Sequence, residues 1–90
     1  MKGIKEIEKI LKILANKRRL AIIKYLKKSK EAKVGEIADE LKLSFKATSK
    51  HLIQLFNADI VEKEQKGLQM YYKLSAVQNN IVKYISNSLE

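Results

Sequence analysis

Residues 34–57, VGEIADELKLSFKATSKHLIQLFN, constrain the fold more than any other stretch, because they read as two helices separated by only a few residues. The first covers about Val34 to Leu41. Ser44 then offers its hydroxyl as the N-cap of a second helix that runs to about Asn57. Ala58 and Asp59 end that helix, and an Asp tolerates the left-handed backbone that helix exits often use. Two β-prone runs follow, Ile60 to Gln65 and Leu68 to Leu74, around a turn at Lys66 and Gly67. Helix, tight turn, helix and hairpin in that order predict a winged helix-turn-helix. In such a unit the second helix is shaped to enter a DNA major groove, and the hairpin, or wing, meets the flanking backbone.

The flanking sequence supplies the remaining helices. Ile4, Ile7, Leu11 and Leu14 recur at spacings of three and four, with Lys2, Lys5, Glu8, Lys9 and Lys12 between them, which is the pattern of an amphipathic helix. Asn16 can cap a second helix from Lys17 to about Lys28 that buries Leu20, Ile23 and Leu26. A short link, Glu31 to Lys33, leads into the third. The last helix is expected to open at Ser75 or Ala76, with Val77, Ile81, Tyr84, Ile85 and Leu89 on one stripe. Proline is absent, glycine is scarce and no repeat or linker divides the chain, so residues 1–90 read as one domain. The predicted class is mainly α with a small β-hairpin wing and about five helices. Its helix-turn-helix lies at 34–57, its wing at 60–74, and its dimerisation helices at 3–15 and 76–88. A chain of 90 residues supports one small core and leaves much of its surface exposed. A homodimer joined through Ile4, Ile7, Leu11, Leu14, Ile81 and Ile85 would cover part of that surface.

Charge points to the same partner. The net charge of +9 favours a polyanion, because lysines that neutralise phosphates release condensed counterions. Its distribution is uneven: residues 1–33 carry +9, residues 34–61 carry −1 and residues 62–90 carry +1. Most of the excess therefore lies on the first two helices, where a solvated face is the commoner explanation. Lys30 and Lys33 stand apart, because they immediately precede the helix that would abut a DNA backbone. The absence of cysteine removes disulfides, thiolate metal ligands and thiol redox switching together. No apolar run is long enough for a membrane span, and the N-terminus lacks the apolar block of a signal peptide, so the expected location is the cytoplasm.

On a helical wheel, residues 44–57 send Thr48, Leu52 and Leu55 inward, with Phe45 and Phe56 on one shoulder and His51 on the other. The opposite face holds Lys46, Ser49, Lys50, Ile53, Gln54 and Asn57. Lysine can donate to guanine O6 and N7, Gln and Asn can pair with adenine, and an apolar methyl can touch thymine. An isolated helix face of this composition is ordinary solvated surface. Its place between a tight turn and a wing makes it a candidate reader. Ser44, Phe45, Lys46, Ser49, Lys50, His51, Ile53 and Gln54 are the candidate groove contacts on this helix. Lys33 is a backbone contact, and Lys63 and Lys66 on the wing face phosphates, although hairpin lysines also serve as edge protection. Strand alternation puts Met70 and Tyr72 on one face and Tyr71 on the other. A single histidine without cysteine cannot build a tetrahedral metal site in one chain. No nucleophile elbow, glycine-rich phosphate loop or spaced carboxylate pair marks an enzyme, and no cofactor is expected.

These segments resemble the ArsR-type (SmtB/ArsR) transcriptional regulators across nearly the whole chain. LANKRRLAIIKYL at 14–26 is similar to that family's opening segment, GEIADELKLSFKATSKHL at 35–52 to its helix-turn-helix with Ser-x-His-Leu at Ser49 to Leu52, and GLQMYYKL at 67–74 to its wing. The resemblance implies a homodimer joined through the first and last helices, acting as a repressor on double-stranded operator DNA. It also implies where this chain departs. Metal-sensing members carry Cys-x-Cys at the start of the third helix, where Lys33 and Gly35 stand here, and neither binds a soft metal. The final helix lacks the His and acidic residues of the zinc-sensing members. Lys17 stands where the family often has proline, and Lys42 where the turn often has glycine. Two rival readings are a winged-helix protein-interaction module without DNA binding and membrane-surface association of residues 2–28. Lysines rather than acidic groups on the reading face disfavour the first, and the lack of Trp or Phe in 2–28 disfavours the second.

Overall fold

A computed structural model describes residues 3–90 of the chain. Five helices and three strands follow one another as α1 (Ile4–Leu14), α2 (Lys17–Ser29), β1 (Ala32–Lys33), α3 (Val34–Leu41), α4 (Phe45–Asn57), β2 (Val61–Lys66), β3 (Gln69–Leu74) and α5 (Asn80–Ser88). The strands form one antiparallel sheet in the order β1-β3-β2. This is the expected winged helix-turn-helix, with β1 as an addition. The segment expected to be a plain link pairs Ala32 with Tyr72 and Lys33 with Tyr71, which ties the start of α3 to the wing.

Helix α2 is the central element, packed against α1, α3, α4, α5 and β3. Its Ile22, Ile23 and Leu26 meet Ile37 of α3, Leu52 and Leu55 of α4, Ile60, Val61 and Val82 in a core where each is at most 2% exposed. Removing each such side chain from water contributes about 1.5–3 kcal/mol. Ile22, absent from the expected stripe, is fully buried, whereas Leu20 is only half-buried. The capping residues behave as their chemistry dictates. The Asn16 side chain accepts from the N–H groups of Arg18 and Arg19, each at 3.0 Å. Asp59 adopts φ 61, the left-handed exit expected of it.

Three terminal expectations change. Helix α5 starts at Asn80, because the Asn79 side chain caps it by accepting from the Ile81 N–H at 2.8 Å. Ser75 is committed elsewhere: its hydroxyl donates to the Asp59 carbonyl at 2.8 Å and its N–H to the Ile60 carbonyl at 3.0 Å, which closes the base of the wing. Val77 consequently lies outside the helix and is exposed. The inward face of α5 is Val82 and Ser86, flanked by Ile81 and Ile85, while Tyr84 points to solvent. In α1 the two apolar faces separate. Leu14, expected on the dimer stripe, is in the core beside Ile10, whereas Ile4 and Leu11 are 89% and 50% exposed.

Candidate nucleic-acid interface

The presentation of α4 is set by the turn before it. Lys42 takes φ 56 and ψ 45, and the Leu43 N–H donates to the Ala38 carbonyl at 3.0 Å, so α3 stops and the chain reverses within three residues. Ser44 then caps α4, its hydroxyl accepting from the Ala47 N–H at 3.0 Å. Thr48 lies one turn on, completely buried, and its hydroxyl donates to the Ser44 carbonyl at 2.9 Å. With Thr48, Leu52 and Leu55 all at 0% exposure, the opposite face of the helix has one orientation available to it. That face holds Lys46, Lys50, Ile53 and Asn57, exposed, and Ser49, half-buried. Phe45 stands at the leading end of the helix, 64% exposed. Among the described residues, neither Lys46 nor Lys50 takes part in an ion pair.

Gln54 and His51 occupy a different environment, created by a residue the sequence reading did not single out. Arg19 donates through Nε to the Ile13 carbonyl at 2.6 Å and through Nη2 to the Lys12 carbonyl at 3.4 Å, gripping the end of α1. Its Nη1 donates to Gln54 Oε1 and lies 3.4 Å from His51 Nδ1. For Nδ1 to accept, the ring proton must sit on Nε2. Burial pushes the His51 imidazole below its ordinary pKa, and the charges of Arg19, Arg18 and Lys50 push the same way. Two of the eight expected groove contacts on this segment are thus bound to the α1–α2 corner. Nothing in the sequence distinguished Arg19 from the other cations of the first 33 residues.

The wing differs again. Strand register and alternation place Val61, Tyr72 and Leu74 toward the core and Lys33, Glu64, Lys66 and Tyr71 outward. Of Met70, Tyr71 and Tyr72, only Tyr72 enters the core, at 7% exposure. Every wing lysine has an intramolecular partner. Lys63 Nζ lies 4.5 Å from the centroid of the Phe56 ring. Lys66 bridges both oxygens of Glu31 at 2.7 and 2.8 Å, and the Glu31 hydrogen bond raises its pKa. Lys73 is 4.0 Å from Glu62. At the tip, Gly67 takes φ 64 and Leu68 is almost wholly exposed. Lys33 is the N-cap of α3, where its N–H donates to Glu36 Oε1 at 2.8 Å.

Residues 16–63, from the α2 cap through α4 into the first wing strand, match the sequence model of the bacterial regulatory protein, arsR family. This chain belongs to the ArsR family. Transcriptional activator HlyU of Vibrio cholerae is 36% identical over 69 residues, which span 77% of this chain and 63% of HlyU. A solved structure of HlyU from Vibrio cholerae superposes with a TM-score of 0.78 at 32% identity, covering 92% of this chain and 86% of that one. The transcriptional repressor PagR of Bacillus anthracis gives a TM-score of 0.80 at 29% identity, with 96% and 94% covered. The homodimeric winged helix-turn-helix DNA-binding domain Mb0332 of Mycobacterium bovis gives 0.79 at 25% identity, with 92% and 74% covered.

The family and these relatives are transcription regulators and not enzymes. Among the described residues, no group of three His, Asp or Glu side chains gathers in a way that could hold a metal ion. No described helix is long and apolar enough to cross a membrane.

Proposed function

We propose that this chain is a sequence-specific, double-stranded DNA-binding transcriptional repressor that acts as a homodimer in the cytoplasm, as a single domain without a metal or cofactor. The observation that carries the reading is the outer face of α4. Lys46, Ser49, Lys50 and Ile53 project from a helix whose other face is locked in the core, and the two lysines have no ion-pair partner among the described residues. In this reading Lys46 and Lys50 approach base edges, with Ser49 and Ile53 modulating the same positions and Phe45 at the leading end. Lys33 and Lys63 meet phosphates. Gln54 and His51 act from behind through Arg19, and Lys66 contributes only when detached from Glu31.

The dimer reading rests on apolar surface that the single chain leaves uncovered. Ile4, Ile7 and Leu11 form a shallow apolar hollow along α1, and Tyr84 of α5 is 73% exposed beside the half-buried Ile81 and Ile85. Two reading helices related by a two-fold axis would meet half-sites one helical turn apart. PagR is a repressor and Mb0332 a homodimer, which supports this assignment, while HlyU acts as an activator.

The test combines three measurements: capture of bound genomic fragments, titration of the recovered site against a scrambled duplex at several salt concentrations, and sedimentation at micromolar protein. The expected result is two chains together and a preference for the recovered site that Lys46→Ala and Lys50→Ala erode. If both substitutions leave both affinities unchanged, the helix does not read DNA and a protein-interaction role replaces this one.

A further inference from the structure

The bidentate contact between Lys66 and Glu31 joins two residues far apart in sequence, on a surface where long side chains ordinarily find only solvent. Lys66 ends β2, next to the Gly67 turn, and its strand partner is Gln69 at the tip of the hairpin. Glu31 precedes β1, whose pairing with Tyr71 and Tyr72 lies farther from the tip. The lysine therefore does not extend beyond the wing. It is drawn back over the ring of Tyr71, with its Nζ 5.2 Å from the centroid, to reach the carboxylate. Lys30 helps to place that carboxylate. Its φ of 76 and ψ of −50 turn the chain sharply between α2 and β1, in a backbone region that residues with a Cβ seldom occupy.

We propose that Glu31 is a positioning residue that lowers the affinity of the wing for DNA by occupying Lys66 with a carboxylate in place of a phosphate. This rests on the DNA-binding reading above. A lysine ammonium is a compact point charge, and two carboxylate oxygens at 2.7 and 2.8 Å satisfy it much as a phosphate would. A phosphate that takes Lys66 from Glu31 exchanges one anion for another and leaves the carboxylate beside the DNA backbone. The wing thus gives up most of what this cation could contribute, and the free lysines of α4 take a larger share of the binding, which favours discrimination over general attraction.

The probe is a fluorescein-labelled mixed-sequence DNA duplex, titrated at several salt concentrations with the full chain and its Glu31→Gln, Lys66→Ala, doubly substituted and Lys50→Ala variants. Glu31→Gln is expected to tighten binding about two- to fivefold, the range set by breaking one exposed ion pair. It should also steepen the log–log salt dependence by about 0.9, one phosphate contact. Lys66→Ala alone should change the slope little, and in the Glu31→Gln background it should remove the whole gain. An equal gain from Glu31→Gln in the Lys66→Ala background would mean that bulk charge acts, and would overturn the proposal. Unchanged or weaker binding by Glu31→Gln would overturn it as well, while salt-dependent binding of this duplex by the wild-type and Lys50→Ala chains alike would leave the DNA-binding reading intact. If no variant binds the duplex, both fall.

Discussion

The outer face of α4 and the wing carry the same kind of group, lysine, in opposite circumstances. On α4, Lys46 and Lys50 stand without ion-pair partners among the described residues, on a helix whose inner face is fully buried. On the wing, Lys63, Lys66 and Lys73 each rest on a ring or a carboxylate, and the surface from Lys63 to Met70 is exposed throughout. Unpartnered donors on a fixed helix start from a fixed backbone position and give up rotamer freedom and hydration but no protein contact on binding, which suits them to distinguishing base edges. Partnered cations on an exposed hairpin must exchange one contact for another, so their net contribution is small and salt-dependent. Position, more than charge, therefore separates the two regions.

The comparison breaks first at the level of stability. Leu52→Ala, which opens a cavity behind the reading face, should cost about 2–5 kcal/mol. Leu68→Ala at the wing tip should stay within about 0.5 kcal/mol of wild type. Urea denaturation measures both, and a large loss at Leu68 would mean that the wing is anchored as firmly as the helix. The next effect is on discrimination. Lys50→Ala should reduce the preference for the recovered site over a scrambled duplex by about 1–3 kcal/mol where it meets a guanine. A loss shared equally by both duplexes would instead assign Lys50 to phosphate.

Lys63→Ala should show that shared pattern, weakening specific and scrambled duplexes alike and reducing the salt slope by about 0.9. The smallest effect concerns His51, on the inner shoulder of α4. Its pKa in the folded chain is lowered, chiefly by burial, so at mildly acidic pH the unfolded chain binds a proton that the folded chain refuses. Stability should therefore fall as pH drops through and below the ordinary histidine value of about 6.5. His51→Gln should flatten this part of the pH profile in urea midpoints, and an unaltered profile would place the titrating group elsewhere.

What was legible in the sequence was local. The caps at Asn16 and Ser44, the left-handed exit at Asp59 and the inward trio Thr48, Leu52 and Leu55 depend on neighbours within one turn, and the spacing of residues revealed them. What escaped depends on partners far along the chain. Ala32 and Lys33 become a strand only because β3 lies beside them. Ser75 had the chemistry of a helix cap, but the carbonyl of Asp59 claims its hydroxyl, and Asn79 takes over the capping. Leu14 had the right spacing for a dimer stripe, yet α1 is rotated so that Ile10 and Leu14 together face the core. Arg19 and Glu31 each meet partners more than thirty residues away, and neither carried a local mark.

The left-handed backbone of Lys42, in the turn that aims α4, bears on how freely that position can change. Holding a residue with a Cβ in this region costs the folded chain about 1–2 kcal/mol relative to glycine. Glycine there would relieve that cost but widen the ensemble of the unfolded chain, a loss of about 0.4–1 kcal/mol. The second only partly offsets the first, so Lys42→Gly is neutral to mildly stabilising, by up to about 1.5 kcal/mol, and this turn can take glycine without altering the angle at which the reading helix is held.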